Sequence, residues 1–131
     1  MKMLFCIAAT FLLHSPCVAQ DTGTGQEIFQ QYCATCHGVE ARGDGPMAPN
    51  LVRKPTNLRN LASLNEGTFP VARVVMRIDG RDPLVAHGSM MPVYGHLFDG
   101  EDTPLKAETG QPIMTNRAII ELVQYLTALQ E

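Results

Sequence analysis

Apolar residues recur at helical spacing in several parts of the chain, and no part shows the apolar–polar alternation of a half-buried strand. The clearest stripe is the last, where Ile119, Leu122, Val123, Leu126 and Leu129 fall on one helical face. The pattern therefore predicts an all-α fold. Its predicted helices span residues 25–36, 58–64, 71–78 and 115–129.

Glycine, proline and small polar residues mark the ends of these helices. Gly38 follows the first helix, Pro70 suits the start of the third, and Gly80 ends it. Thr115 or Asn116 can cap the last helix. Because prolines and glycines are frequent between the helices, we predict irregular structure there. The segments concerned are 38–55 and 80–114.

The N-terminal segment has the layout of a secretory signal peptide. Lys2 supplies a positive charge, residues 4–13 are almost wholly apolar, and a short breaker region ends in the small residue Ala19. The apolar run is about half as long as a membrane span requires, so we expect no stable membrane anchor. We predict removal of residues 1–19, export to the periplasm and a single domain over residues 20–131.

The charge balance excludes one class of partner. The chain has 10 Lys and Arg against 13 Asp and Glu, and its formal net charge is −3. A non-specific nucleic-acid binder carries the opposite sign, so we expect no nucleic-acid partner. The chain also lacks Trp and has few aromatic residues. Its own apolar core is therefore modest, and a buried apolar cofactor would enlarge it.

The segment Cys33-Ala34-Thr35-Cys36-His37 carries the most specific chemistry of the chain. C-x-x-C-H is the attachment signature of c-type haem. Its two thiols can add to the two vinyl groups of the porphyrin, and the histidine that follows can ligate the iron as the proximal base. The sequence contains one such motif. It predicts one covalently attached haem c per chain.

Other uses of a C-x-x-C pair fit the sequence less well. A zinc site needs further Cys or His at ligand spacing, whereas Cys6 and Cys17 lie in the predicted signal peptide. A thioredoxin-like redox pair accompanies a βαβ pattern, which the sequence does not show. Haem attachment through Cys33 and Cys36, with His37 as the proximal iron ligand, is the favoured interpretation.

The sixth iron ligand separates an electron carrier from a haem enzyme. The segment 89–95 is favoured as its source, because it is a loop far along the chain from the haem cysteines and Pro92 stiffens it. A weak thioether ligand binds best where the fold has already restricted its conformations. Bis-histidine ligation is a less favoured alternative. The candidate residues are Met47, Met76, Met90, Met91, Met114, His87 and His96.

With these features, the chain resembles the class I c-type cytochromes, specifically the small bacterial monohaem kind. Met91-Pro92-Val93-Tyr94 matches that family's Met-Pro-x-aromatic loop, whose methionine is the distal iron ligand. The resemblance thus implies that Met91 ligates the iron, with Met90 as the less favoured neighbour, and that Tyr94 lies in the haem surroundings. It covers most of the chain after the predicted signal peptide.

Two helices extend the resemblance. Gly25 and Phe29 match a Gly and an aromatic residue of the family's first helix, and Leu122 and Tyr125 match a Leu-x-x-aromatic pair in its last helix. In the family these two helices pack against each other. The resemblance therefore implies contact between the first and last helices of this chain.

A third match concerns the proximal histidine. Pro49-Asn50-Leu51 resembles a Pro-x-Leu segment whose backbone carbonyl accepts a hydrogen bond from the imidazole Nδ1–H, which would place Pro49 and Leu51 in the haem surroundings. The chain departs from the smallest members at residues 98–113, a longer acidic loop that we expect to be solvated, with a partner contact as the less favoured alternative.

Two functions remain to be distinguished. The first is a periplasmic electron carrier, or the haem subunit of a respiratory or dehydrogenase complex, which exchanges one electron with redox partner proteins. The second is a haem enzyme or gas sensor with an open or displaceable distal position. Because the sequence supplies no distal acid–base set and the chain is short, we expect an electron-transfer protein rather than an enzyme.

Overall fold

The computed structural model describes residues 23–83, 90–98 and 100–131. The predicted signal peptide and His87 lie outside the described residues. Within these residues the chain forms α1 (Gly23–Tyr32), α2 (Ala34–His37), α3 (Val71–Asp79), β1 (Asp102–Lys106), β2 (Pro112–Asn116) and α4 (Arg117–Ala128). Single 3₁₀ turns occur at Ala48–Asn50, Leu58–Asn60, Ser63–Asn65 and Gly95–Leu97. No helix in the described part is both long and apolar enough to cross a bilayer.

The first and last helices pack closely, as the sequence predicts. A Cβ atom on Gly25 would lie only 2.1 Å from the backbone oxygen of Glu121, so glycine is needed where α1 meets α4. The fully buried Phe29 ring lies 5.5 Å from the Tyr125 ring, measured between centroids. Because α1 ends directly before Cys33, the packing of these two helices also fixes the position of Cys33.

Helix α4 begins two residues later than predicted, because Thr115 and Asn116 are the last residues of β2. The Asn116 side chain caps the helix by accepting a hydrogen bond from the Ile119 N–H at 3.0 Å. The predicted apolar stripe is confirmed, since Ile119, Leu122, Val123 and Leu126 are buried.

Helix α3 also matches its predicted apolar face, with Val74, Val75 and Ile78 buried. Gly80 ends the helix in the left-handed conformation, with φ at +90°. Beyond it, the Tyr94 N–H donates a hydrogen bond to the Ile78 carbonyl at 2.8 Å. The C-terminal end of α3 therefore anchors the segment that contains the predicted distal ligand.

The all-α prediction is wrong for the segment between α3 and α4. Strands β1 and β2 pair antiparallel there, with Leu105 opposite Ile113. These two residues are the half-buried apolar positions of a hairpin that is otherwise mostly exposed, and Pro104 and Pro112 lie within its strands. An alternating pattern is hard to recognise where so few positions are apolar.

The hairpin is mostly exposed to solvent, as expected, but it is also fastened to both ends of α3. At its tip, the Glu108 carboxylate accepts a hydrogen bond from the Ala72 N–H at 3.0 Å, in the first turn of α3. After the other end of the helix, the Arg81 guanidinium donates to the Met114 carbonyl at 2.7 Å. A carboxylate near a helix N-terminus also interacts favourably with the helix dipole.

Candidate haem site

The C-x-x-C-H segment forms one helical turn at the end of α1. The Cys33 N–H continues α1 by donating to the Phe29 carbonyl at 2.9 Å. The Cys33 carbonyl then accepts from the N–H groups of Cys36 at 3.1 Å and His37 at 2.9 Å. Residues three or four positions apart lie on the same face of such a turn. The two thiols and the imidazole are therefore presented together.

Both cysteines of this segment are half-buried. Burial raises the pKa of the Cys33 thiol to about 12, and the neighbouring Cys36 adds to the rise. A redox-active C-x-x-C pair needs the opposite, a cysteine whose pKa is lowered. Among the described residues, no group of three or more His, Cys, Asp or Glu could hold a metal ion. The raised pKa of Cys33 argues against the redox alternative.

The His37 ring is oriented by its Nδ1 atom, which lies 3.0 Å from the Thr56 carbonyl oxygen. Because a carbonyl can only accept, Nδ1 carries the hydrogen of this bond. Burial lowers the pKa of the ring, which favours neutral imidazole. The remaining nitrogen, Nε2, then has a free lone pair, as an iron ligand requires.

The predicted acceptor for His37 is wrong, because the bond is made by Thr56 and not by the segment from Pro49 to Leu51. Pro49 is exposed and lies in a 3₁₀ turn, while Leu51 is half-buried. The turn Ala48–Asn50 contacts α2, which ends at His37, but the Nδ1 hydrogen bond of the ring is made to Thr56.

The path of the loop explains why Thr56 accepts the hydrogen bond from His37. Gly43 has φ at +79°, and a Cβ atom there would lie 2.3 Å from the Pro55 carbonyl oxygen. The Leu58 N–H donates to the Ala41 carbonyl at 2.8 Å. The chain after Lys54 therefore folds back over the turn that follows His37, and Thr56 reaches the ring. Only Pro49 has a leucine two residues later, so the sequence pattern did not point to the segment after Pro55.

The predicted distal loop lies against the same end of α1. The Tyr94 hydroxyl donates to the Tyr32 carbonyl at 3.0 Å, and the two rings meet edge to face at 6.1 Å. Burial raises the pKa of Tyr94, and Cys33 and Cys36 raise it further. Tyr94 therefore lies close enough to both haem cysteines to interact with them electrostatically.

The two adjacent methionines differ in environment. Met90 is 54% exposed, whereas Met91 is half-buried and packs against the hydrophobic core. Val93 lies against Gly80, where an added Cβ would come within 2.5 Å of the valine side chain. Contacts at Val93 and Tyr94 thus hold the loop just after Met91, which restricts where the Met91 sulfur can lie.

The other candidate distal ligands are less constrained or serve packing. Met47 and Met114 are 42% and 44% exposed, and His96 is also exposed. Met76 is half-buried on α3, among the core residues of that helix. The fold therefore presents a set of two thiols and one imidazole from a single turn, and it holds the loop of Met91 against the same end of α1. This set fits covalently attached haem.

Compared with known protein families, the chain matches the Cytochrome c family over residues 23–130. The matched region includes the C-x-x-C-H segment, the Met91 loop and α4. Comparisons with curated proteins and with solved structures gave no match.

Proposed function

Because the chain belongs to the cytochrome c family, whose members transfer electrons on covalently attached haem c, we propose that it is a one-electron carrier with His37 and Met91 as axial iron ligands. Haem c supplies a one-electron ferric/ferrous couple when bound. The main support is the His37 ring, whose Nδ1 is held by the Thr56 carbonyl and whose Nε2 is therefore available. In this proposal Cys33 and Cys36 form the thioethers.

The protein side chains would perform two tasks in electron transfer. The Thr56 carbonyl holds the imidazole in one orientation and increases its basicity. Met91, in a loop that Tyr94 ties to α1, would supply the sulfur ligand to the iron. A thioether ligand favours the reduced state and raises the potential. A closed distal position also keeps substrates away, so we propose a carrier without enzymatic activity.

Carbon monoxide binding tests whether the distal position is closed. The wild-type ferrous protein should bind carbon monoxide slowly and incompletely, because Met91 must first leave. A redox titration should follow a one-electron Nernst curve, with about 59 mV for each tenfold change in the ratio of oxidised to reduced protein. Rapid, saturating binding of carbon monoxide would contradict the carrier proposal and favour a haem enzyme or gas sensor.

We further propose that the protein acts in the periplasm, on redox partner proteins, as a free carrier or as a subunit of a respiratory or dehydrogenase complex. The support is the signal-peptide layout of residues 1–19 together with a haem type that bacteria attach after export. Redox encounters of this kind use small, transient interfaces.

Export can be tested by expression in a bacterium that matures c-type cytochromes. Intact mass and N-terminal sequencing of the periplasmic fraction should identify Gln20 as the first residue. An Ala19→Leu variant should remain uncut, because cleavage requires a small residue at that position. Recovery of the wild-type protein with residues 1–19 still present would show that the segment is not a cleaved signal.

A further inference from the structure

Gln130 lies two residues beyond α4, and its side-chain amide joins three backbone groups. Its Nε2 donates to the Leu58 carbonyl at 2.8 Å and to the Leu126 carbonyl at 2.7 Å. Its Oε1 accepts from the Ala62 N–H at 2.9 Å. One side chain thus fastens both ends of the segment 58–62 to the end of α4.

The next residue adds a second, more exposed connection. The Glu131 carboxylate accepts from Arg59 Nε at 2.7 Å and from Arg42 Nη2 at 3.2 Å. The Glu131 N–H donates to the Arg59 carbonyl at 3.0 Å. Because exposed ion pairs contribute little to stability, the Gln130 amide should be the stronger of the two connections.

The segment 58–62 lies close in sequence to the residue that bonds to the proximal histidine, His37. Thr56, whose carbonyl accepts from His37 Nδ1, precedes Leu58 by two residues. The Leu58 N–H is itself bound to the Ala41 carbonyl at 2.8 Å, in the turn that follows His37. So short a stretch of backbone cannot move far while Leu58 is held. The position of the Thr56 carbonyl therefore depends on the segment that Gln130 holds.

We propose that Gln130 is a positioning residue for the proximal iron ligand: it holds residues 58–62 so that the Thr56 carbonyl stays on His37 Nδ1. This inference rests on the proposed ligation of iron by His37. The hydrogen bond on Nδ1 makes the imidazole a stronger donor, and a stronger donor stabilises the oxidised state more. Loss of Gln130 should therefore weaken that bond and raise the reduction potential.

The test uses the ferrous holoprotein labelled with ¹⁵N-histidine. In Gln130→Ala, exchange of the His37 Nδ1–H with solvent should accelerate on the order of tenfold or more, because the three hydrogen bonds that keep the segment closed are lost. The reduction potential should rise in the same variant. Gln130→Glu keeps the acceptor for Ala62 but loses the donor, and it should shift both quantities in the same direction.

Thr127→Ala is the matched control, because it removes a side-chain hydrogen bond of α4, from Oγ1 to the Val123 carbonyl at 2.7 Å, without touching residues 58–62. It should leave the exchange rate and the potential unchanged. If both Gln130 variants lower the melting temperature but leave these two quantities as in wild type, Gln130 only closes the helix end and the proposal is wrong. Failure of the proposed function is separable, because the wild-type His37 ring protons would then lack the large ring-current shift of an iron ligand.

Discussion

Replacing Met91 by alanine should abolish the weak sulfur-to-iron charge-transfer band of the ferric protein. It should also lower the reduction potential by on the order of 100 mV, because the identity of the axial ligands is a major determinant of haem potential. Met91 is the proposed ligand because it is half-buried against the core, in a loop that Tyr94 fixes to Ile78 and Tyr32. The open iron of the variant should bind carbon monoxide rapidly.

Met90→Ala is the control for this prediction. The two methionines are adjacent and have the same chemistry, but Met90 is 54% exposed. Its removal should leave the charge-transfer band, the potential and the slow carbon monoxide binding in place. If Met90→Ala removes the band and Met91→Ala does not, the ligand register is shifted by one residue. Absence of the band from the wild type would exclude methionine ligation altogether.

The helices were predictable because their apolar residues are dense and periodic. The buried faces of α3 and α4 match the predicted stripes, and Gly38 and Gly80 end their helices with positive φ. The predicted helix over residues 25–36 is observed as α1 and α2, which are separated at Cys33. Residues 58–64 form two 3₁₀ turns and not a continuous helix.

The hairpin and the acceptor for His37 could not be read from the sequence for a shared reason. Both depend on contacts between distant parts of the chain that leave little trace in local composition. The hairpin is held by Glu108 and Arg81 on either end of α3. The Thr56 carbonyl is placed by a loop that folds back over Gly43. The periodicity of apolar residues indicates which face of one helix or strand is buried. These contacts depend instead on how different helices, strands and loops pack against each other.

The C-x-x-C-H segment was recognisable for the opposite reason, since thioether attachment requires two cysteines at one spacing followed by histidine. What the sequence did not reveal is how that segment connects to the distal loop. Tyr94 was predicted only to lie in the haem surroundings, yet its hydroxyl bonds to the last residue of α1 and its ring packs against Tyr32. Tyr32 also meets Phe98 edge to face at 5.4 Å. These rings link the proposed proximal and distal segments.

Replacing both Cys33 and Cys36 by alanine should leave little folded protein. The chain has no Trp and a modest core, so a covalently held porphyrin would be its largest apolar component. Burying on the order of 400 Å² of apolar porphyrin surface contributes about 10 kcal/mol. That is comparable to the entire net stability of a typical domain, about 5–15 kcal/mol. Thermal unfolding followed by circular dichroism should therefore lose its cooperative transition in the double variant.

Haem extraction separates the covalent attachment from its effect on folding. Acid–organic solvent should remove no haem from the wild type, and the intact mass should exceed that of the polypeptide by one haem. Either single variant keeps one thioether and should retain the haem, whereas the double variant should release whatever it binds. Thr35→Ala, at the exposed position between the cysteines, should behave as wild type. A double variant that unfolds cooperatively without haem would show that the polypeptide core is sufficient alone. The small number of buried aromatic residues in the described part of the chain, namely Phe29, Phe69 and Tyr125, argues against this outcome.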